Sequence, residues 1–301
     1  MKEWDSALND RSRHRLPPWM RRQVRNSEQV LTMKKILREK HLHSVCQSAG
    51  CPNIYECFQK PTATFMILGD VCTRNCRFCG VTKGTPSSVD PDEPRHIAEV
   101  VKALNLKHVV ITSVTRDDLD DGGANQFAQT SEQIHLLAPE STIEALIPDF
   151  GGIEGNLRIV MNSHLDILNH NMETVPRFYH TIRPEADFER SLTILRWAKA
   201  IDSSIITKSG LMLGLGETFE EIQTICERLA DVGCDVLTIG QYLSPSKRSA
   251  PVVEYIEPDD YSKYQDAALK AGIPWVHAGP FVRSSYNAEA LMRRIRESHC
   301  E

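Results

Sequence analysis

The sequence predicts an α/β protein built as a partial (β/α)6 TIM-like barrel, with N-terminal and C-terminal extensions covering the open barrel. Three observations predict it. Short apolar runs of β type alternate with stretches of helical period from about residue 63 onward. Six such runs are present, too few for a closed eight-fold barrel. The chain has 301 residues, 41% of them hydrophobic, enough to bury a large core without disulfide staples.

The runs, in order, are ATFMILG (63–69), HVVITSV (108–114), TIEALIP (142–148), LDILNHN (165–171), SIITKSGLMLGL (204–215) and VLTIGQYL (236–243). Between the first two, Ile97, Val100, Val101 and Leu104 recur at the i, i+3, i+4, i+7 spacing of one helix face. Pro94 stands in the first turn of that segment, where its missing N–H costs nothing. Phe219, Ile222, Ile225 and Leu229 repeat the pattern after the fifth run. The domain reading is an N-terminal arm and cysteine-bearing segment over 1–62, the barrel over 63–278 and a C-terminal segment over 279–301. Pro17, Pro18 and Trp19 would anchor the arm to the body.

The net charge of −5 provides no global basic field, so neither nucleic acid nor an anionic membrane is an expected partner. No run approaches the ~20 apolar residues of a membrane span, and the opening residues lack the apolar stretch of a signal peptide. Nine cysteines, partly in odd-numbered groups, then point to a reducing cytoplasm and to metal rather than disulfides.

Working residues of such barrels gather at the C-terminal ends of the strands. Those ends hold Ser113, Thr115, Asp149, Asn169, Asn171, Gly214, Glu217, Gln241 and Tyr242. Any one of them could equally be an ordinary solvated loop residue.

Six cysteines form two triplets. Cys72, Cys76 and Cys79 are spaced Cys-x3-Cys-x2-Cys directly after the first strand. A four-iron cluster normally takes four thiolates, so three leave one iron open to a chelating cosubstrate. A zinc site is the competing reading, but it would need a second Cys pair or two histidines at ligand spacing. With Phe78 just before the last cysteine, the motif resembles the signature of the radical S-adenosylmethionine (SAM) superfamily. That resemblance implies a 4Fe-4S cluster whose open iron is chelated by SAM, and cleavage of SAM to a 5′-deoxyadenosyl radical that abstracts hydrogen from an unactivated carbon.

Upstream, Cys46, Cys51 and Cys57 are spaced Cys-x4-Cys-x5-Cys on a segment broken by Gly50 and Pro52. This triplet in SVCQSAGCPNIYECF, preceding the other, resembles lipoyl synthase. The blocks LPPWMR (16–21), TSVTRDDLDDGGA (112–124), HNMETVPRFY (170–179), KSGLMLGLGET (208–218), TIGQYLSPS (238–246) and GPFVRSSYNAE (279–289) extend the resemblance to about residue 290. It implies a second, auxiliary 4Fe-4S cluster on Cys46, Cys51 and Cys57, completed by Ser285. By itself Ser285 would read as a turn or cap hydroxyl.

The implied reaction is insertion of two sulfur atoms at C6 and C8 of a protein-bound octanoyl-lysine. One radical from one SAM serves each insertion, and the auxiliary cluster supplies the sulfur. The implied partners are octanoylated lipoyl carrier domains (2-oxoacid dehydrogenase E2 subunits and the glycine cleavage H protein), an electron donor such as flavodoxin or ferredoxin, and a carrier that repairs the consumed cluster. In the same context Phe78, Ser113, Glu144, Asn171 and Arg183 are candidates to hold SAM, with no side-chain acid or base assigned. TSVTRDD stands where the superfamily commonly carries a Gly-Gly-Glu-like segment, which leaves the partner of SAM's amino group open. Another sulfur-inserting enzyme of the superfamily, such as biotin synthase, would not predict the upstream triplet. An iron-sulfur carrier or sensor would not need a SAM pocket.

The glycines of GLGET (214–218) lack dinucleotide-binding flanks and read as places where backbone approaches substrate or SAM. Cys226 and Cys234 read as small buried apolar residues, Met161, Met172 and Met212 as packing, and Cys300 has no assigned role.

Overall fold

The computed structural model describes residues 16–21, 28–59, 62–285 and 290. The chain divides into two compact units. Among the described residues, the first contains 28–59, 62–73, 81–169, 284–285 and 290, and the second contains 16–21, 74–80 and 170–283.

The first unit opens with α1 (Glu28–Glu39), which buries Val30, Met33 and Leu37. After it come β1 (His43–Ser44) and two single-turn helices, α2 (Val45–Ser48) and α3 (Ile54–Cys57). Next are β2 (Thr62–Ile67) and the two-residue strands β3 (Val71–Cys72) and β4 (Thr82–Lys83). From there helices and strands alternate: α4 (Glu93–Ala103), β5 (His108–Ser113), α5 (Ala124–Leu137), β6 (Thr142–Leu146), α6 (Glu154–Met161) and β7 (Ile167–Asn169). Strand β1 pairs antiparallel with β2, and β2, β5, β6 and β7 then run parallel in that order. The register aligns Ile67 with Ser113, Thr112 with Leu146, and Leu146 with Asn169, which brings the C-terminal ends of four strands into one row. On α4, Ile97, Val100 and Val101 are fully buried, each stabilising the unit by roughly 1.5–3 kcal/mol.

The turn after β2 is built with unusual care. Leu68 has φ +67°, a left-handed conformation that costs a branched residue energy. Its N–H donates to the buried Glu93 carboxylate at 2.9 Å, which also receives Gln126 Nε2 at 2.9 Å. Burial pushes the Glu93 carboxyl above its usual value, against the pull of these two donors. A side chain on Gly123 would meet Leu68 Cδ1 at 2.2 Å, so that glycine leaves room for the turn. This braced turn aims the chain into the segment that begins at Cys72.

The second unit contains α7 (Tyr179–Ile182), α8 (Phe188–Ile201), β8 (Ile206–Leu213), α9 (Phe219–Asp231), β9 (Val236–Gln241), α10 (Tyr261–Ala271) and β10 (Trp275–Gly279). Strands β8, β9 and β10 are parallel in that order. Leu211, Leu213, Leu237 and Ile239 pack with Leu192, Ile222, Ile225 and Leu229 of the helices in one core. A full capping box starts α9, with the Thr218 side chain on the Glu221 N–H and the Glu221 side chain on the Thr218 N–H.

Six strands are each followed by a helix, as the alternation predicts: β2–α4, β5–α5, β6–α6, β7–α8, β8–α9 and β9–α10. Beyond the six expected runs lies β10. Its sequence WVHAG is short and only half-buried, with His277 exposed, so no apolar run announces it. Among the described residues, no helix is long and apolar enough to cross a membrane.

Candidate functional site

The first cysteine triplet lies wholly within the first unit. Ser44 caps α2, its hydroxyl accepting from the Cys46 N–H at 3.3 Å. The helix ends after one turn because Gly50 turns left-handed (φ +61°), and the Cys51 N–H returns to the Cys46 carbonyl at 3.0 Å. The Ile54 N–H donates to Cys51 O at 3.3 Å, and the Cys57 N–H to Asn53 O at 2.9 Å. Two consecutive tight turns therefore gather three thiols that are separated by four and five intervening residues in sequence. Cys46 is buried, while Cys51 and Cys57 are half-buried.

The thiols feel one another. A hydrogen bond with Cys51 raises the Cys46 thiol well above its ordinary value, joined by burial and by the charges of Cys51 and Cys57. Such mutual resistance to ionisation is what a bound metal cation reverses, so the donor set fits a thiolate-ligated centre. Among the described residues, no three His, Cys, Asp or Glu side chains converge on a single metal ion. A multinuclear cluster asks for something else, because each thiolate binds a different iron.

In the second triplet, the boundary between the two units falls between Thr73 and Arg74, so Cys72 belongs to the first unit and Cys76 and Cys79 to the second. Cys72 Sγ accepts the Thr115 N–H at 3.3 Å. The Thr73 N–H and hydroxyl both donate to Thr115 O, at 3.1 and 3.0 Å, and the Gly84 N–H donates to Cys72 O at 3.0 Å. The TSVTRDD loop after β5 thus holds Cys72 from the side. In the second unit the Arg77 N–H donates to Ile182 O at 2.8 Å, Arg77 O accepts the Ala250 N–H at 2.8 Å, and the Asn75 side chain donates to Glu185 at 3.1 Å. These bonds fix the backbone around Cys76 and Cys79 without using the thiols. Cys72, Cys76 and Cys79 are all half-buried. An N–H aimed at Cys72 sulfur suits an anionic thiolate better than a neutral thiol, so this donor set also fits a cluster.

The five candidate SAM contacts separate by unit. Ser113 and Glu144 lie on β5 and β6 of the first. The Ser113 hydroxyl, at the strand end, is buried without a hydrogen-bond partner among the described residues, as a group meant for a ligand would be. Glu144 sits mid-strand, in register with Val110 rather than with the strand end. It is fully buried, accepts Asn169 Nδ2 at 2.8 Å and faces His108 Nε2 at 3.6 Å. In the second unit Asn171 and Arg183 meet directly, with Arg183 Nη1 donating to Asn171 O at 3.0 Å, Met172 O at 2.9 Å and the Tyr179 hydroxyl at 3.2 Å. Phe78 packs against the hydrophobic core of that unit. Ser285 lies half-buried in the turn after β10.

Sequence reasoning missed Glu173. It has φ +66° and bridges in parallel to Leu211 of β8, its N–H on Gly210 O and its O accepting from Met212 N, both at 2.9 Å. Desolvation raises its carboxyl, while the Arg183 charge, the Asn171 side chain and the Arg283 charge pull it down. An acid following a β-type run carries no special signal in one sequence. The reading of the GLGET glycines needs correction at Gly214. A Cβ on Gly214 would lie 2.2 Å from Gln241 Nε2 and 2.4 Å from Glu254 O, so this glycine makes room for the chain's own segment rather than for a ligand. Glu217 caps the same loop, accepting the Gly214 and Leu215 N–H groups. Cys226 and Cys234 are buried as expected, their thiols pushed up to about 12 by desolvation. Met172 is fully buried and Met161 and Met212 are half-buried; Cys300 lies outside the described residues.

The family model of the radical SAM superfamily matches residues 66–240. The lipoyl synthase of Caldicellulosiruptor saccharolyticus is 55% identical over 279 residues, 93% of this chain and 98% of that protein. The lipoyl synthase of Caldanaerobacter subterraneus subsp. tengcongensis is 50% identical, covering 94% and 99%. Among solved structures, the hydrogenase maturase HydG aligns with a TM-score of 0.57 at 13% identity, over 92% of this chain and 65% of that one. Methylornithine synthase aligns with a TM-score of 0.53 at 12% identity, over 92% and 90%. These two share the fold alone, the partial barrel expected from six βα units.

Proposed function

The chain belongs to the lipoyl synthase family of the radical SAM superfamily, and on that premise we propose that it inserts two sulfur atoms at C6 and C8 of an octanoyl-lysine borne by a carrier domain. Superfamily membership brings one 4Fe-4S cluster and SAM. The auxiliary cluster, the ligands of both clusters and the partners are our reading. When bound, the first cluster and SAM supply a 5′-deoxyadenosyl radical that removes hydrogen from the octanoyl chain, and the auxiliary cluster is the sulfur-donating substrate.

The observation that carries this reading is the pair of odd cysteine triplets, on a chain alike to lipoyl synthases over nearly its whole length. Cys72, Cys76 and Cys79 hold the SAM-binding cluster. The Thr115 N–H steadies the Cys72 thiolate. Cys46, Cys51 and Cys57 hold the auxiliary cluster, with the Ser285 oxygen as fourth ligand; a harder donor than thiolate marks one iron as different from the rest. Ser113 and Asn171 offer hydrogen-bonding groups toward SAM, Arg183 offers charge and orientation, and Phe78 offers an aromatic face to adenine. Glu144 is better suited to ordering the strand interior through Asn169 and His108 than to touching SAM. A carbon radical reacts with whatever is near, so the chain's remaining task is to exclude water and hold C6 and C8 in place.

The proposed partners are octanoylated E2 and H-protein carrier domains, flavodoxin or ferredoxin as reductant, and a cluster-repair carrier, with the cytoplasm as location. Anaerobic reconstitution tests the two-cluster reading. It should give about eight irons per chain in two four-iron clusters; a stable content of about four, with Cys46, Cys51 and Cys57 all open to alkylation, would refute it.

A further inference from the structure

Residues 279–283 form a compact turn seated on the end of β9. The Val282 N–H donates to Gly279 O at 3.1 Å. Arg283 Nη1 folds back onto Val282 O at 2.6 Å and Pro280 O at 3.5 Å. The Val282 side chain is buried, 4% exposed. Beneath this turn lies Gly240, in register with Met212 on one side and Gly279 on the other.

Gly240 is not among the residues with positive φ, so its backbone conformation suits any amino acid. Space is the reason for glycine. A Cβ built there would stand 2.1 Å from Val282 O, 3.0 Å from the Val282 carbonyl carbon and 3.2 Å from Arg283 Nη1. The first distance is far inside any van der Waals contact and involves backbone, so it cannot be relieved by a side-chain rotation. The neighbouring strand supplies a contrast: a Cβ on Gly279 would meet Val282 Cγ2 at 3.4 Å, an ordinary contact.

We infer that Gly240 is a positioning residue: the space left by its missing side chain seats the Val282 carbonyl and the Arg283 guanidinium on β9, and so fixes where the chain presents Ser285. Ser285 follows Arg283 by two residues, and a chain spans at most ~3.6 Å per residue, so the seat keeps the serine within roughly 7 Å of Arg283. This deepens, and rests on, the reading of Ser285 as the auxiliary cluster's fourth ligand. A side chain at position 240 would lift the turn and carry the serine oxygen away from its iron, leaving the Cys72 cluster untouched.

The test uses the full-length protein, reconstituted anaerobically, as wild type and as Gly240→Ala, Gly279→Ala, Arg283→Ala and Ser285→Ala. Three quantities are read: deuterium exchange of residues 280–285, the Mössbauer spectrum of the auxiliary cluster, and reductive cleavage of SAM. In Gly240→Ala, exchange over 280–285 should quicken by about tenfold or more. The cluster spectrum should match that of Ser285→Ala, and SAM should still be cleaved at the wild-type rate. Gly279→Ala should behave as wild type in all three. Arg283→Ala leaves β9 intact and should loosen the same residues, so the claim stays testable if Gly240→Ala does not fold. Wild-type exchange in Gly240→Ala, or in Arg283→Ala, would overturn the inference, as would equal loosening in Gly279→Ala. If Ser285→Ala keeps the wild-type cluster spectrum, the serine reading fails instead, and the exchange contrast between Gly240→Ala and Gly279→Ala still decides whether Gly240 seats the turn.

Discussion

The Thr115 N–H points at Cys72 Sγ from 3.3 Å, tying the loop after β5 to the first cysteine of the Cys-x3-Cys-x2-Cys motif. Hydrogen bonds to cluster sulfur stabilise the reduced, more negative state and raise the reduction potential. Thr115→Pro removes that donor while keeping the carbonyl that Thr73 uses. Its SAM-binding cluster should be harder to reduce, with a midpoint more negative than wild type in a potentiometric EPR titration. An unchanged midpoint would mean the bond does not reach the cluster.

Ser285→Ala should separate the two halves of the chemistry. SAM cleavage to 5′-deoxyadenosine should persist, because the residues proposed for that cluster are intact, while sulfur transfer to an octanoyl-lysine peptide should fall by about tenfold or more, the loss of roughly 1.4 kcal/mol of differential stabilisation. Parallel loss of both activities would show that the serine serves the fold rather than the auxiliary cluster.

Buried thiols set an alkaline limit on stability. Cys226 and Cys234 rise from the ordinary 9.0 to about 12 in the folded chain. Above pH 9 the unfolded chain loses protons that the folded chain keeps. Their contribution is therefore full below pH 9 and lost as pH rises from 9 toward 12, on the order of 4 kcal/mol each at most. The melting temperature should fall over that window, and Cys226→Ala with Cys234→Ala should flatten the fall. An identical slope in the double variant would contradict the assignment.

Thr218 contributes through the capping box of α9. Thr218→Ala should cost about 1 kcal/mol and lower the melting temperature by roughly 2 °C, with cluster content unchanged. Circular dichroism melting and an iron assay check both.

Much of this was legible in the sequence because its signals are local. The helix face of Ile97, Val100 and Val101 and the six β-type runs each depend on neighbours a few residues away, and each appears as an element of the fold. The cysteine spacings are local too. What stayed hidden depends on contacts between distant positions. Asp149, Gln241 and Tyr242 looked like a functional rim, yet all are buried and bonded to the chain's own backbone: Asp149 to Gly151 N, Gln241 Nε2 to Leu213 O and Glu254 O, and Tyr242 to Ala250 O. The need for glycine at 214 and 240 arises from segments that follow in the chain by 27 or more residues, which no single-sequence periodicity records. Glu173 hides for the same reason: its partners Arg183 and Arg283 are far along the chain.

Mass spectrometry of an octanoyl-lysine peptide after incubation with the reconstituted protein, SAM and a reductant tests the central claim most directly. The account predicts a product carrying two added sulfur atoms, formed only when SAM and reductant are both present, with 5′-deoxyadenosine released in twofold amount, one for each C–H bond broken. A peptide that gains no sulfur while SAM is cleaved, or that gains sulfur without SAM, would contradict it.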